Sequence, residues 1–470
     1  MPSLKRNLFY SILLVLANYV FPFLTYPYVS RVLGVTGIGA CNFVDSVINY
    51  FIIFSTLGID TYGVREIAKH KDDKAALDRT FSNIFTVNVT LTAIMLVLLV
   101  GATLTVPKLS DHMDLMFIGA FKLVFNCLLT EWLFKGLEDF KLITLRSIVI
   151  KLLYVAAVFI FVRRREDVWV YYLASSMAVV VNALVNRAFA RTRVHYSLKG
   201  VEFKDTFKSI SALGVYAILT SMYTTFNVMF LGFVANDSEV GLYGTATKIY
   251  YIVMAVFSGF TGVMLPRMSS VVASGDMHKF RSYFGMVVDF LFGFSIPIVA
   301  WMMLMAPDLI RIIAGSEFTG AVLPMTIISP LVFIVGYEQI LVLQTLLPLG
   351  KDKVMLRNSL LGAVVGVSLN VLLVPWLAAI GSAIVWIVVE CLILVLSQIA
   401  VSKYLDIGFP FRLTARNILV YLPLAGILAA CSLIPSGAAV RLAVSIVAAA
   451  AYVLVYQLVI RKGQLLRQFN

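Results

Sequence analysis

The chain has 470 residues, of which 60% are hydrophobic and 13% charged, with a mean hydropathy of +0.93 and a formal net charge of +13. Apolar runs of 18 or more residues recur from end to end, which excludes a water-soluble globular fold and reads as an all-α polytopic membrane protein. Cys41, Cys127, Cys391 and Cys431 sit in apolar runs without CxxC spacing, and His70, His112, His195 and His278 stand apart from one another, so neither a metal nor another cofactor is expected.

In chain order, about fourteen spans are predicted, at 7–32, 36–59, 81–105, 114–135, 142–162, 168–188, 208–233, 242–264, 282–305, 322–347, 354–376, 379–401, 416–433 and 439–460. Lys5 and Arg6 followed by an apolar run resemble a signal peptide. The run continues past Pro22 into further spans, so it reads as an uncleaved first helix. With the N-terminus in the cytoplasm, that side holds 28 of the 38 Lys and Arg residues. The other side holds seven, Arg31, Lys108, Arg163, Arg164, Arg165, Arg311 and Arg441, and Lys122, Lys151 and Lys248 lie within spans. This asymmetry places both termini in the cytoplasm and accounts for much of the positive charge without nucleic acid. The loops are short; REIAKHKDDKAALDR, around Lys69, suits an interfacial helix and no catalytic domain.

A shift of 204 residues lays VTGIGACNF (35–43) over EVGLYGTAT (239–247) and brings six successive spans into register. The expected organisation is therefore two six-helix lobes in parallel repeat, 1–207 and 208–401, around a central cavity, followed by a helix pair and tail at 402–470.

Lys122 and Lys151 lie about 12–14 Å along their helices and so near the bilayer midplane. A lysine there costs about 2.5–3.5 kcal/mol on insertion scales, and such residues usually face a polar path. Lys248 lies about 9 Å into the second lobe. Arg31 and Arg146, nearer span ends, either extend the path or snorkel to the interface.

Three polar stripes appear at helical spacing: Asn42, Asp45 and Asn49; Tyr216, Thr220, Tyr223 and Asn227; and Asn18, Pro22 and Thr25. They either line a cavity or hold helices together by hydrogen bonds. Asp45 and Glu390 fall near midplane, whereas Asp289 and Glu338 lie nearer the cytoplasmic end. Such carboxylates either couple transport to an ion gradient or neutralise a lysine. Glu131 is expected to pair with Lys135 or Arg146. Pro22 and Pro27 are expected to bend span one.

PYVSRVLG (27–34), LGIDTYGVREIAK (57–69), EWLFKGLEDF (131–140), GLYGTATKIY (241–250), MLPRMS (264–269) and LPLGKDK (347–353) together resemble the polysaccharide transporter, or Wzx-type O-antigen and capsule repeat-unit flippase, family. That family belongs to the superfamily of multidrug and toxin extrusion pumps and the peptidoglycan lipid flippase. The resemblance implies a bacterial inner-membrane protein, not an enzyme, that moves undecaprenyl-pyrophosphate-linked oligosaccharide outward by alternating access. Implied partners are that lipid-linked substrate, the bilayer and a glycan polymerase or ligase complex. The final pair of spans departs from the family's common twelve-span form. For a pyrophosphate, the resemblance makes Lys122, Lys151, Lys248, Arg31 and Arg146 the candidate cationic ligands.

A multidrug cation antiporter would call for an acidic cavity rather than intramembrane lysines. A membrane glycan polymerase or ligase would call for longer external loops than FVRRREDV (161–168). Thr345 stands where a Walker A motif ending at Gly350-Lys351 requires glycine, which argues against ATP hydrolysis.

Overall fold

The computed structural model describes residues 4–456, and among them every regular element is helical. The end of the predicted span at 439–460 and the tail beyond it lie outside the described residues. Among the described residues, ten helices are long and apolar enough to cross a membrane, or twelve when each of two bent pairs counts as one crossing. The chain is thus an α-helical, multi-pass membrane protein. The difference from fourteen spans lies in two long helical runs, Leu4–Thr56 of 53 residues and Asp352–Leu405 of 54, each joining two predicted spans without a loop between them.

Each long run carries one non-helical residue inside it. Leu4–Thr56 is interrupted at Gly34, with φ 70° and ψ 179°. Only glycine adopts such angles without strain, so the change of direction falls there, between the predicted spans. Pro22 and Pro27, expected to bend this helix, lie inside its regular part. Asp352–Leu405 is interrupted at Ala378, with φ 45° and ψ −124°. At 1.5 Å per residue, an unbroken 53-residue helix would be about 80 Å long against a hydrocarbon core of about 30 Å.

The chain divides into two compact units, Met1–Gly241 and Leu242–Asn470. The first contains α1 (Leu4–Thr56), α2 (Ile59–His70), α3 (Lys74–Thr105), α4 (Met113–Asn126), α5 (Glu131–Gly136), α6 (Phe140–Phe161), α7 (Val168–Arg193), α8 (Phe203–Thr224) and α9 (Phe226–Val234). Helix α10 (Asp237–Ala273) begins in it. The long α1 packs against α3, α4, α6 and α9. The bent pair α8–α9 turns by 50° and packs on α1, α2 and α3.

The charged stretch around Lys69 forms amphipathic α2, whose buried residues Ile59, Gly63 and Ile67 face α5. Asp73 then caps α3, accepting hydrogen bonds from the Ala75 and Ala76 amides at 2.9 and 3.1 Å. Such a cap contributes about 1 kcal/mol. The α2–α5 contact needs glycine on both sides. A Cβ at Gly63 would lie 2.8 Å from the Trp132 ring, and one at Gly136 would lie 2.7 Å from Ile67. Trp132 in turn stacks on Phe81 with ring centroids 5.5 Å apart.

The two glycine-bearing segments that the sequence shift superposed also meet. A Cβ at Gly39 would lie 1.6 Å from the Asp237 carbonyl, and one at Gly241 would lie 2.2 Å from that of Val35. The backbones approach as closely as only glycine permits.

The second unit continues with α11 (Met277–Leu304), α12 (Ala306–Ile313), α13 (Val322–Ile328), α14 (Leu331–Leu341), α15 (Asp352–Leu405), α16 (Phe411–Ser432) and α17 (Ala438–Val455). The added pair α16–α17 packs on α11. There Tyr421 and Leu424 meet Ile296, Ala300 and Trp301, and the Trp301 indole donates to the Ser445 hydroxyl at 2.9 Å. Arg441 grips Asp308 on α12, with Nε donating to Oδ2 at 2.7 Å and Nη2 to Oδ1.

Candidate substrate-contacting site

In the first unit, polar side chains of α1, α4, α6 and α7 meet one another. Asp45 lies eleven residues past the Gly34 break, about 16 Å along that half of α1. Its Oδ1 receives the Lys122 ammonium of α4 at 2.5 Å and the Tyr172 hydroxyl of α7 at 3.4 Å. Its Oδ2 accepts from the Asn49 amide, one turn on, at 3.2 Å. Asp45 is therefore a hub for three helices. The pair stays partly open, with side-chain exposures of 19% for Lys122 and 37% for Asp45.

Lys151 is placed differently. It sits in the middle of the 22-residue α6, and its ammonium donates to the Asn18 side-chain carbonyl of α1. Among the described residues no carboxylate lies within ion-pair distance of it. A cation in the centre of an apolar helix is thus met by a neutral amide.

Arg146, one and a half turns before Lys151, is buried at 8% exposure. Its Nε donates to the Asn182 side chain at 3.1 Å, and Glu131 stands 3.9 Å from Nη2. Both terminal guanidinium nitrogens are buried without a hydrogen-bond partner. Glu131 is engaged by Lys135 at 3.1 Å, so one carboxylate serves two cations. Arg31 is exposed and donates to the Pro27 carbonyl one turn back, which fits the snorkelling alternative at least as well.

The stripes divide in the same way. Asn18 and Asn49 hold the cation and the carboxylate described above, while the Asn42 amide nitrogen is buried without a partner. On α8, Thr220 donates to the Tyr216 carbonyl at 2.9 Å, and Asn227 of α9, fully buried, donates to the Tyr223 carbonyl at 3.4 Å. Those contacts belong to helix geometry. Tyr50 of α1 joins this helix by donating to the Ser221 carbonyl at 2.9 Å.

In the second unit, Lys248 is half-buried on α10. Glu390 is 3% exposed on α15, takes the Trp386 indole N–H at 3.0 Å, and adjoins the Glu338 carboxyl group on α14.

Tyr172 and Asn182 were not singled out from the sequence. Their signal was weak but present: Asn182 is an amide inside an apolar span, and Tyr172 lies one turn inside α7, close to the turn that precedes it. Among the described residues there is no cluster of three or more residues able to hold a metal ion.

With this geometry in hand, comparison with known proteins is specific. The polysaccharide biosynthesis protein family matches residues 4–272. A protein of Escherichia coli (strain K12) named for O-antigen transport is 27% identical over 402 residues, covering 83% of this chain and 95% of that protein. A Haloferax volcanii protein named as a low-salt glycan biosynthesis flippase, Agl15, is 21% identical over 255 residues, covering 53% of this chain and 54% of the other. In fold, a solved structure of the lipid II flippase MurJ, inward closed, aligns with a TM-score of 0.82 at 11% identity, covering 97% of this chain and 99% of that one.

Proposed function

Because the chain belongs to the polysaccharide biosynthesis protein family, we propose that it is a secondary flippase for lipid-linked oligosaccharide in a bacterial inner membrane. The cargo is an undecaprenyl-pyrophosphate-linked repeat unit, moved from the cytoplasmic to the outer leaflet by alternating access and passed to a polymerase or ligase. Both termini are assigned to the cytoplasm on the lysine and arginine asymmetry.

The observation that carries this reading is Lys151. A pyrophosphate crossing a low-dielectric medium needs fixed positive charge along its path. Lys151 offers a mid-helix ammonium held by the neutral Asn18 amide, with no carboxylate at ion-pair distance among the described residues. Arg146 adds a buried guanidinium with two nitrogens open to an acceptor. Lys122 and Arg31 extend the path, and Lys248 gives the second unit a cation of its own. The Asn18, Asn42 and Asn49 amides, with the half-buried Tyr216 and Thr220 hydroxyls, are suited to sugar, whereas Tyr223 and Asn227 are buried and serve helix packing. Glu390 is the carboxylate assigned to coupling with an ion gradient, Asp45 being held by Lys122. A cation exporter would need an open carboxylate beside the cations, whereas Asp45 is taken by Lys122.

The test is deletion of the gene followed by analysis of lipid-linked saccharide. Accumulation on the inner leaflet, relieved by the wild-type gene but not by Lys151→Ala protein of normal membrane abundance, is expected. Normal surface glycan with the Lys151→Ala protein as the sole copy would overturn the assignment.

A further inference from the structure

The turn joining α6 to α7 carries Arg163, Arg164 and Arg165, all exposed. Asp167 locks it: its Oδ2 accepts hydrogen bonds from the backbone amides of Arg163 and Arg164, both at 2.8 Å. Arg163 Nε donates to the Ile160 carbonyl at 2.9 Å, which lays that side chain back over the end of α6. Three guanidinium groups against Glu166 and Asp167 leave the turn positive. The positive-inside asymmetry gives no reason for three cations on the side assigned as external.

Directly beneath the turn, α6 and α7 part to form an open groove of about 460 Å³. Leu153, Ala157 and Phe161 line one wall, and Trp169, Leu173 and Met177 the other. Phe161, Leu153 and Trp169 are 64%, 61% and 51% exposed, so the groove is a surface feature rather than a core void. Its lining runs from Phe161 back to Ile150 on α6 and from Trp169 to Val181 on α7. Those stretches of 12 and 13 residues correspond to about 17–18 Å of helix. A hydrocarbon core is about 30 Å thick, so the groove reaches from headgroup level to roughly the midplane.

We propose that this groove and turn form a binding site for one anionic phospholipid of the outer leaflet, with an acyl chain between α6 and α7 and the phosphate on the Arg163–Arg165 turn. Guanidinium groups engage phosphate oxygens through paired N–H donors, and an apolar slot of one leaflet's depth suits an acyl chain. A polyprenyl carrier, much longer than one leaflet, would overrun the slot. Neither Lys151 nor Asn18 lines the groove, and the site does not depend on the transported cargo.

The experiment uses full-length protein in detergent with phosphatidylglycerol or phosphatidylcholine added, read by native mass spectrometry and thermal melting. Phosphatidylglycerol is expected to stay bound and raise the melting temperature, and phosphatidylcholine is not. Replacing all three arginines by Gln is expected to weaken retention about tenfold or more, the equivalent of about 1.4 kcal/mol. Ala174→Trp, which fills the groove and keeps the arginines, is expected to weaken it similarly, with Ala178→Leu as the alternative filler if that protein does not fold. Equal retention of the two lipids, or undiminished retention in either class of variant, would overturn the site. Displacement of phosphatidylglycerol by an equal concentration of undecaprenyl phosphate would overturn the choice of occupant.

Discussion

Lys122 and Asp45 face each other at 2.5 Å between α4 and α1, and the pair keeps the middle of the polar cluster electrically balanced. Removing either partner strands the other's charge. Lys122→Ala and Asp45→Asn are each expected to cost about 1–3 kcal/mol, below the penalty for a fully buried pair because both side chains stay partly exposed. The double variant is expected to cost less than the sum of the two. Melting curves of the purified proteins check this, and strict additivity would show that the two groups are not coupled.

Lys151 stands in contrast, because its partner is neutral. Lys151→Ala removes a costly cation and leaves only an amide behind, so membrane abundance and melting temperature are expected to change little while glycan export falls at least about tenfold, or about 1.4 kcal/mol in transition-state terms. Lys151→Arg is expected to retain more export than Lys151→Ala. Surface glycan measured beside protein abundance separates loss of transport from loss of protein.

The close backbone approach at Gly39 gives a stability test with its own control. Gly39→Ala sets a Cβ 1.6 Å from the Asp237 carbonyl, and a backbone atom cannot rotate away. A loss of about 1–3 kcal/mol or more is expected, as for overpacking. Gly101, in the same unit on α3, has nothing within 4 Å of the added methyl. Gly101→Ala is expected to be neutral or to stabilise by up to about 1 kcal/mol through helix propensity. Size-exclusion profiles of the tagged proteins report both.

Arg441 and Asp308 form a two-pronged contact tying α17 to α12. Arg441→Lys keeps the charge but loses the planar fork, so it is expected to melt clearly below the wild type, and Asp308→Asn lower still. Indistinguishable melting of Arg441→Lys and wild type would show that charge alone suffices.

Hydropathy made the helices legible, and their pairing in two long runs was visible as adjacent spans with almost no residues between them. The breaks at Gly34 and Ala378 fall in those gaps, although span one was expected to bend at its prolines. A proline in a membrane helix loses a donor that neighbouring groups can offset, whereas a residue at positive φ must redirect the chain. The mid-helix lysines were legible from the cost of their burial alone. Their partners were less so, because which residues meet across helices depends on the rotation of each helix about its axis, and nearly all-round apolar sequence leaves that rotation open. Thus Asp45 drew attention as a carboxylate, while the roles of Tyr172, which touches it from α7, and Asn182, which holds Arg146, emerged from packing.

The seat of Trp132 between Gly63 and Phe81 has a practical corollary. The most recognisable words of this sequence, LGIDTYGVREIAK and EWLFKGLEDF, are spent on wedging two short helices together, so a match in them speaks for architecture and is silent about cargo. Chimeras that keep that wedge and exchange the α6–α7 hairpin with a relative handling a different saccharide are where a change of diet should first appear.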